Sequence, residues 1–231
     1  MIWGIIAAMD AELALILQVM EIERHETVYG AKFHIGKIGG ASVAAVCCSI
    51  GTINAAACAS VLIREFGATA VVNIGVAGST CDELNILDVV LSDEVVFHDA
   101  DTWIIKKYYP FRASFAADQN LIRLAEKSIA KMKKRNFNYK IGRIATGDMF
   151  VNDLALKNDI VARHNPLCVE MEGAAIGQIA YMSGVPFLII RSLSDKSDGS
   201  AHISFESFLE KAAKNSAGIV LGMIENAKET F

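Results

Sequence analysis

Three observations predict an α/β fold for this chain, with helices on both sides of one mixed sheet. Short apolar runs alternate with amphipathic helical stretches from end to end. The segment Ala70–Val76 is an almost unbroken apolar run rich in β-branched residues, as expected of a strand covered on both faces. No linker rich in Pro, Gly or Ser, no repeat and no charge block interrupts the alternation. The expected architecture is a single domain over residues 1–231, a three-layer sandwich whose central mixed sheet is flanked by helices.

The elements follow in order. Ile2–Ala8 reads as a buried strand and Asp10–Met20 as a helix, with Asp10 and Glu12 in a first turn that favours carboxylates. Lys32–Ile38 and Ser42–Ile50 read as strands joined at Gly39-Gly40. Thr52–Phe66 is a helix with Thr52 or Asn54 as its cap. After the strand Ala70–Val76 comes a loop, Gly75–Ser79, and then the strand Asp88–Phe97. Gln119–Lys134 has a clear helical period, with Leu121, Ile122, Ala125, Ile129 and Met132 on one face. Ile141–Thr146 is a strand, Asp153–Arg163 a helix and Glu172–Ser183 an Ala-rich helix. Val185–Ser192 is a buried strand, and Ser204–Lys228 is a final helix capped by Ser204, with Glu206 in its first turn.

Composition narrows the function classes. Of 231 residues, 53% are hydrophobic and only 21% charged, which excludes a disordered chain. The mean hydropathy of +0.35 raises the question of a membrane. The uncharged stretch Ile38–Ile63 is long enough to span one, but its Gly, Ser, Thr and Asn residues fit a strand, a tight loop and a buried helix instead. The first basic residue is Arg24, so Met1–Met9 lacks the positive start of a signal peptide, and a cytoplasmic location is expected. A net charge of −4 without a basic stripe argues against nucleic acid. Five cysteines in apolar surroundings, with no paired spacing, read as free thiols in a reducing compartment.

In such folds the ligand site lies at the carboxyl ends of the strands. There the chain places carboxylates: Asp10 and Glu12 after the first strand, Glu170 and Glu172 around Met171, and Asp195 after the last strand. Each alone suits a cap or a turn. Gathered at one mouth, in a chain so poor in charge, they suit cleavage of a glycosidic bond. One acid protonates the leaving group, one carboxylate activates water, and another steadies the oxocarbenium-like transition state. His98, Asp99 and Asp101 form either a metal-ligand set or a hydrogen-bonded loop, and the expectation is no metal and no cofactor.

Six segments in register carry a resemblance: Ile-Ile-Ala-Ala-Met-Asp-Ala-Glu (5–12), Asn-Ile-Gly-Val-Ala-Gly (73–78), Ser-Asp-Glu with His-Asp-Ala-Asp (92–94, 98–101), Thr-Gly-Asp-Met-Phe-Val-Asn (146–152), Val-Glu-Met-Glu (169–172) and Arg-Ser-Leu-Ser-Asp (191–195). Together they resemble the 5′-methylthioadenosine/S-adenosylhomocysteine nucleosidases of the nucleoside phosphorylase superfamily, over nearly the whole chain. The resemblance implies a nucleoside phosphorylase-like fold and hydrolysis that releases adenine. It implies that Glu12 activates water, Asp195 protonates adenine N7, Glu172 holds the ribose hydroxyls with the Met171 backbone, and Arg191 orients Glu172 and the water. Phe150 would stack on adenine and the Val151 backbone would read its edge. Val76, Ala77, Gly78 and Ser194 would line base and sugar, and Met9, Ile50 and Phe205 the apolar 5′ pocket. It also implies a homodimer, which the surplus of apolar residues supports.

The chain departs from the family pattern in two places. Val76 stands where Ser is common, and the segment 102–110 reads Thr-Trp-Ile-Ile-Lys-Lys-Tyr-Tyr-Pro rather than aromatic-glycine-aromatic. The 5′ substituent is therefore left open among methylthio, homocysteinyl, 6-amino-6-deoxyfutalosine and 5′-deoxyadenosine forms. A phosphate-dependent phosphorylase is the rival on this fold, but phosphorylase relatives carry Arg and Ser at the positions of Asn73 and Val76. A non-catalytic nucleoside-binding protein is expected to lose Glu12 or Asp195, and both are present.

Overall fold

The computed structural model describes residues 1–227. Among them the chain runs β1 (Ile2–Ala7), α1 (Asp10–Val19), β2 (Glu21–Val28), β3 (Ala31–Ile38), β4 (Ala41–Cys47), α2 (Thr52–Arg64), β5 (Ala70–Ser79) and β6 (Val89–Phe97). It continues through α3 (Thr102–Lys107), β7 (Ser114–Ala116), α4 (Gln119–Lys131), β8 (Tyr139–Thr146), α5 (Leu154–His164), β9 (Cys168–Glu170), α6 (Gly173–Ser183), β10 (Phe187–Asp195) and α7 (Ala201–Ala227).

One mixed sheet joins the strands in the order β10-β6-β8-β9-β5-β1-β4-β3-β2, with β7 beside β6. β10 also pairs with β5, so β5, β9, β8, β6 and β10 close into a ring. The parallel pairs are β1–β4, β1–β5, β5–β10, β6–β8 and β8–β9. Helices α1, α4 and α7 pack as one group against the sheet, and α2 and α6 as another, which gives the expected three layers.

Burial explains which strands are central. Every residue of β5 and of β10 is buried, and most of β5 and the first four residues of β10 are accordingly apolar. Fully buried side chains such as Ile5, Leu62 and Ile74 each contribute about 1.5–3 kcal/mol. β2 is the opposite case. Its sequence Glu-Ile-Glu-Arg-His-Glu-Thr-Val is almost wholly exposed, and a charged edge strand discourages pairing with another chain. Ile38–Ile63, the stretch long enough for a membrane span, is the end of β3, then β4, then most of α2. Among the described residues, no helix is long and apolar enough to cross a membrane.

Several boundaries differ from the sequence reading, each for a local reason. The expected loop Gly75–Ser79 is strand, because β5 continues to pair with β10 and then with β9 through residue 79. β10 likewise runs on to Asp195, and its register shifts between Leu193 and Asp195. The strand expected to reach Ile50 ends at Cys47, and the helix expected to reach Lys134 ends at Lys131. α7 begins at Ala201, so Ser204 is not its cap: the Ser204 amide already donates to the Ser200 carbonyl at 3.1 Å. The expected end of that helix, Lys228, lies outside the described residues. α2 is capped by neither Thr52 nor Asn54. Its N-cap is Gly51, at φ +106°, a backbone conformation that favours glycine. The strand β2 and the short elements α3, β7 and β9 are additional to the expected set.

Candidate active site

The loops after β1, β4, β8, β9 and β10 meet at one end of the sheet. Glu12 lies in the first turn of α1 and folds back over the end of β1. Its Oε2 accepts from the amides of Ala8 and Met9 at 2.9 and 3.0 Å, and its Oε1 accepts from the Val76 amide at 2.9 Å. Burial raises the Glu12 pKa, against the opposing pull of the Arg191 guanidinium and the three amides. The bare backbone of Gly75 makes room for this: a Cβ there would stand 2.7 Å from Glu12 Oε1 and 2.9 Å from Arg191 Nη1.

Arg191, on β10, is buried behind the carboxylates. Its Nη2 donates to Asn73 Oδ1 at 2.5 Å, to Glu170 Oε2, and to Glu172 Oε2 at 3.3 Å. Glu170 is saturated with donors. It receives the Gly173 amide at both oxygens, the Glu172 amide at 3.0 Å and the Thr146 hydroxyl, so it fixes the start of α6. Glu172 is the N-cap residue of that helix, and its Oε1 accepts from the Gly51 amide at 2.9 Å. Burial and the neighbouring Glu170 charge push the Glu172 pKa up to about 7, with Arg191 pulling the other way.

Asp195 ends β10. Its Oδ1 accepts from the Ser197 amide and its Oδ2 from the Ser194 hydroxyl, both at 2.8 Å. Burial raises its pKa, so the protonated form extends to higher pH than for an ordinary aspartate.

These three carboxyls open onto one cavity of about 380 Å³, a volume suited to a nucleoside-sized ligand. Met9, Ile50 and Phe205 line it together with Val76, Ala77 and Gly78. Phe150, Met171 and Ser194 complete the wall. The rings of Phe150 and Phe205 meet edge to face with centroids 6.0 Å apart. Val151 lines an adjoining slot with Gly78, Phe150, Met171 and Asp195. Of the residues expected to be catalytic or to bind substrate, only Arg191 lines neither space, and it touches the carboxylates Glu170 and Glu172. The arrangement sets two buried carboxyls, Glu12 and Asp195, around one ligand volume, which suits paired proton transfer.

Several contributors were missed. Asn73 and Glu170 hold Arg191, Glu170 also takes the Glu172 amide and the Thr146 hydroxyl, and Glu170 was noticed only as a neighbour of Glu172. Asp148 accepts from the Thr52 amide and hydroxyl, and its own amide donates to Asp99 at 2.8 Å. Asp101 caps α3. Asp99 and Asp101 of the His-Asp-Ala-Asp segment are thus used in loop structure, and among the described residues no group of three His, Cys, Asp or Glu side chains is placed to hold a metal ion. A larger hollow of about 550 Å³ lies between α3, β7 and α5. It collects none of the residues expected to be catalytic or to bind substrate, and its arginines, Arg143 and Arg163, are paired with Glu94 and Asp159.

The model of the phosphorylase superfamily matches residues 3–225. The 5′-methylthioadenosine/S-adenosylhomocysteine nucleosidase of Geobacillus sp. (strain WCH70) is 38% identical over 98% of this chain and 99% of its own. The chain belongs to the 5′-methylthioadenosine/S-adenosylhomocysteine nucleosidase family. The nucleosidase of Neisseria meningitidis, solved with methylthio-immucillin-A, superposes with a TM-score of 0.92 at 32% identity, covering 97% of this chain and 99% of that one. The futalosine hydrolase of Helicobacter pylori superposes with a TM-score of 0.89 at 29% identity, covering 97% of both chains. The nucleosidase fold expected from sequence is therefore the fold observed.

Proposed function

We propose that this chain, as one nucleosidase domain over residues 1–231, hydrolyses the N-glycosidic bond of 5′-methylthioadenosine and S-adenosylhomocysteine. The products are adenine and the 5′-thioribose. The observation that carries the reading is the convergence of Glu12, Glu172 and Asp195 on one mostly apolar cavity, each held by different donors.

Glu12 takes a proton from water as its oxygen bonds to the anomeric carbon. Asp195 gives a proton to adenine N7 as the carbon–N9 bond breaks and its electron pair passes to the base. Glu172, pinned between Gly51 and Arg191, holds the ribose hydroxyls with the Met171 backbone, and its charge opposes the cation developing on the sugar. Phe150 stacks on the base, the Val151 backbone reads its edge, and Ala77, Gly78 and Ser194 flank base and sugar. Met9, Ile50 and Phe205 receive the 5′ group.

Water rather than phosphate is the nucleophile. Asn73 is engaged with the Ile6 carbonyl and Arg191, Val76 offers no hydroxyl, and Glu12 would repel a phosphate dianion. Adenine release from methylthioadenosine in buffer free of phosphate tests this. Undiminished release is expected, and a strict phosphate requirement overturns it.

Hydrolysis of 6-amino-6-deoxyfutalosine is the second reading, favoured by the likeness to the Helicobacter pylori futalosine hydrolase. Comparison of kcat/KM over adenosines that differ only at the 5′ group separates the two. The proposal includes a homodimer and a cytoplasmic setting. Trp103, Tyr108, Tyr109 and Phe111 form an exposed aromatic group suited to a second copy, and all five cysteines are free. Sedimentation of the intact protein at twice the chain mass is the expected result.

A further inference from the structure

Ser197 carries two features that its place in a turn does not require. Its side chain is completely buried, yet its Oγ has no hydrogen-bond partner. Its φ is +52°, the left-handed region, where a non-glycine residue is strained. Orphaned buried hydroxyls and strained residues both cost stability, and they persist where function holds them. The surroundings point to a ligand. The Ser197 amide donates to Asp195 Oδ1, and the hydroxyl lies so close to Gly78 that a Cβ there would stand 2.0 Å from it. Ser197 lines the narrow slot next to the main cavity, with Phe150, Val151 and Asp195.

We propose that the Ser197 hydroxyl is a base-recognition group that accepts a hydrogen bond from the six-position amine of the bound purine. The inference rests on the adenine-releasing function proposed above. If Asp195 delivers its proton to N7, the six-position substituent lies on the same edge of the ring. The polar side chain beside Asp195 on that edge with no partner is Ser197. A hydroxyl there completes the slot without adding charge next to the acid.

The test pairs protein and ligand changes. The intact protein, Ser197→Ala and Ser197→Gly are assayed on methylthioadenosine and on the same thioriboside bearing unsubstituted purine, which lacks the amine. Loss of one neutral hydrogen bond predicts a fall in kcat/KM of about threefold to tenfold for methylthioadenosine in both variants. No change beyond the twofold level is expected for the des-amino substrate. Glycine relieves the left-handed strain and alanine does not, so agreement between them assigns the loss to the hydroxyl. Equal losses on both substrates, with a displaced alkaline limb of the pH profile, would place the hydroxyl on Asp195 and overturn the proposal, as would no loss on either. Equilibrium binding of free adenine and free purine repeats the comparison without turnover. A protein that binds adenine but hydrolyses nothing therefore refutes the hydrolase reading while still deciding the role of Ser197.

Discussion

The carboxylate of Asp148, on the loop after β8, accepts hydrogen bonds from the backbone amide and the hydroxyl of Thr52 at 2.7 and 2.5 Å. It therefore does for α2 what a side-chain cap would do, because the N-cap itself is Gly51 and has no side chain. The same loop carries Phe150 and Val151, and the Gly51 amide holds Glu172. One contact thus ties the base side of the cavity to the sugar side. Asp148→Ala is expected to cost about 1 kcal/mol, as loss of a cap does, and to lower Tm by about 2–4 °C for a chain of this size. It should raise KM severalfold with a smaller change in kcat. A KM equal to that of the unaltered protein would refute the coupling.

Glu12 and Asp195 have opposite protonation requirements, and the pH profile follows. Burial raises both pKa values. Glu12 must be ionised to take a proton and Glu172, at about 7, to oppose the sugar cation, so kcat/KM rises with pH as these two carboxyls ionise. Asp195 must be protonated to give one, so kcat/KM falls as pH rises through its own. The expected profile is a bell. Asp195→Asn should flatten the alkaline limb, and Glu12→Gln should lower kcat by about 10²–10⁴, the range for a lost general base. An alkaline limb unchanged in Asp195→Asn would remove that residue from the role of acid.

Glu172 adds a signature in stability. Its pKa lies at about 7 in the folded protein against an ordinary 4.5, so between those values the folded state holds a proton that the unfolded chain releases. The stabilisation from this carboxyl is fully present below the ordinary value and is lost as pH rises through about 7. Urea unfolding across this window should show a decline that is shallower in Glu172→Gln. Parallel curves for the two proteins would contradict it.

The sequence made the fold legible where burial is extreme. Ala70–Val76 announces a central strand because both of its faces are covered, and the period of Gln119–Lys134 announces a helix because one of its faces is. β2 was missed for the converse reason: its charged residues face solvent on both sides and leave no alternation to read. α3 was missed because none of its residues is buried. At the site, the acids at strand ends were visible as single residues in a chain with few charges. Their partners Asn73 and Thr146 were not, because they come from β5 and β8 and meet Arg191 and Glu170, on β10 and β9, only through the closed ring. Ser194 and Ser197 likewise flank Asp195 in sequence, but the orphaned hydroxyl of Ser197 becomes apparent only once Gly78 is placed against it.

Gly75 tests that ring most directly. It lies within β5, and a Cβ added there would stand 2.7 Å from Glu12 Oε1 and 2.9 Å from Arg191 Nη1, so something must shift. Neither neighbour is free to retreat. Glu12 is tied by the amides of Ala8, Met9 and Val76, and Arg191 by Asn73, Glu170 and Glu172. Gly75→Ala should therefore move the carboxylate rather than unfold the sheet. Overpacking of this kind costs about 1–3 kcal/mol, whereas a displacement of about 1 Å at a reacting group can cost about 10² in rate. The expected variant is folded and nearly inactive. Gly184→Ala is the control, because Gly184 has open space around it but a φ of +67°. That change should lower stability through backbone strain and leave kcat/KM as it was. A fully active Gly75→Ala protein would mean that Glu12 can move without consequence, and would remove it from the role of base.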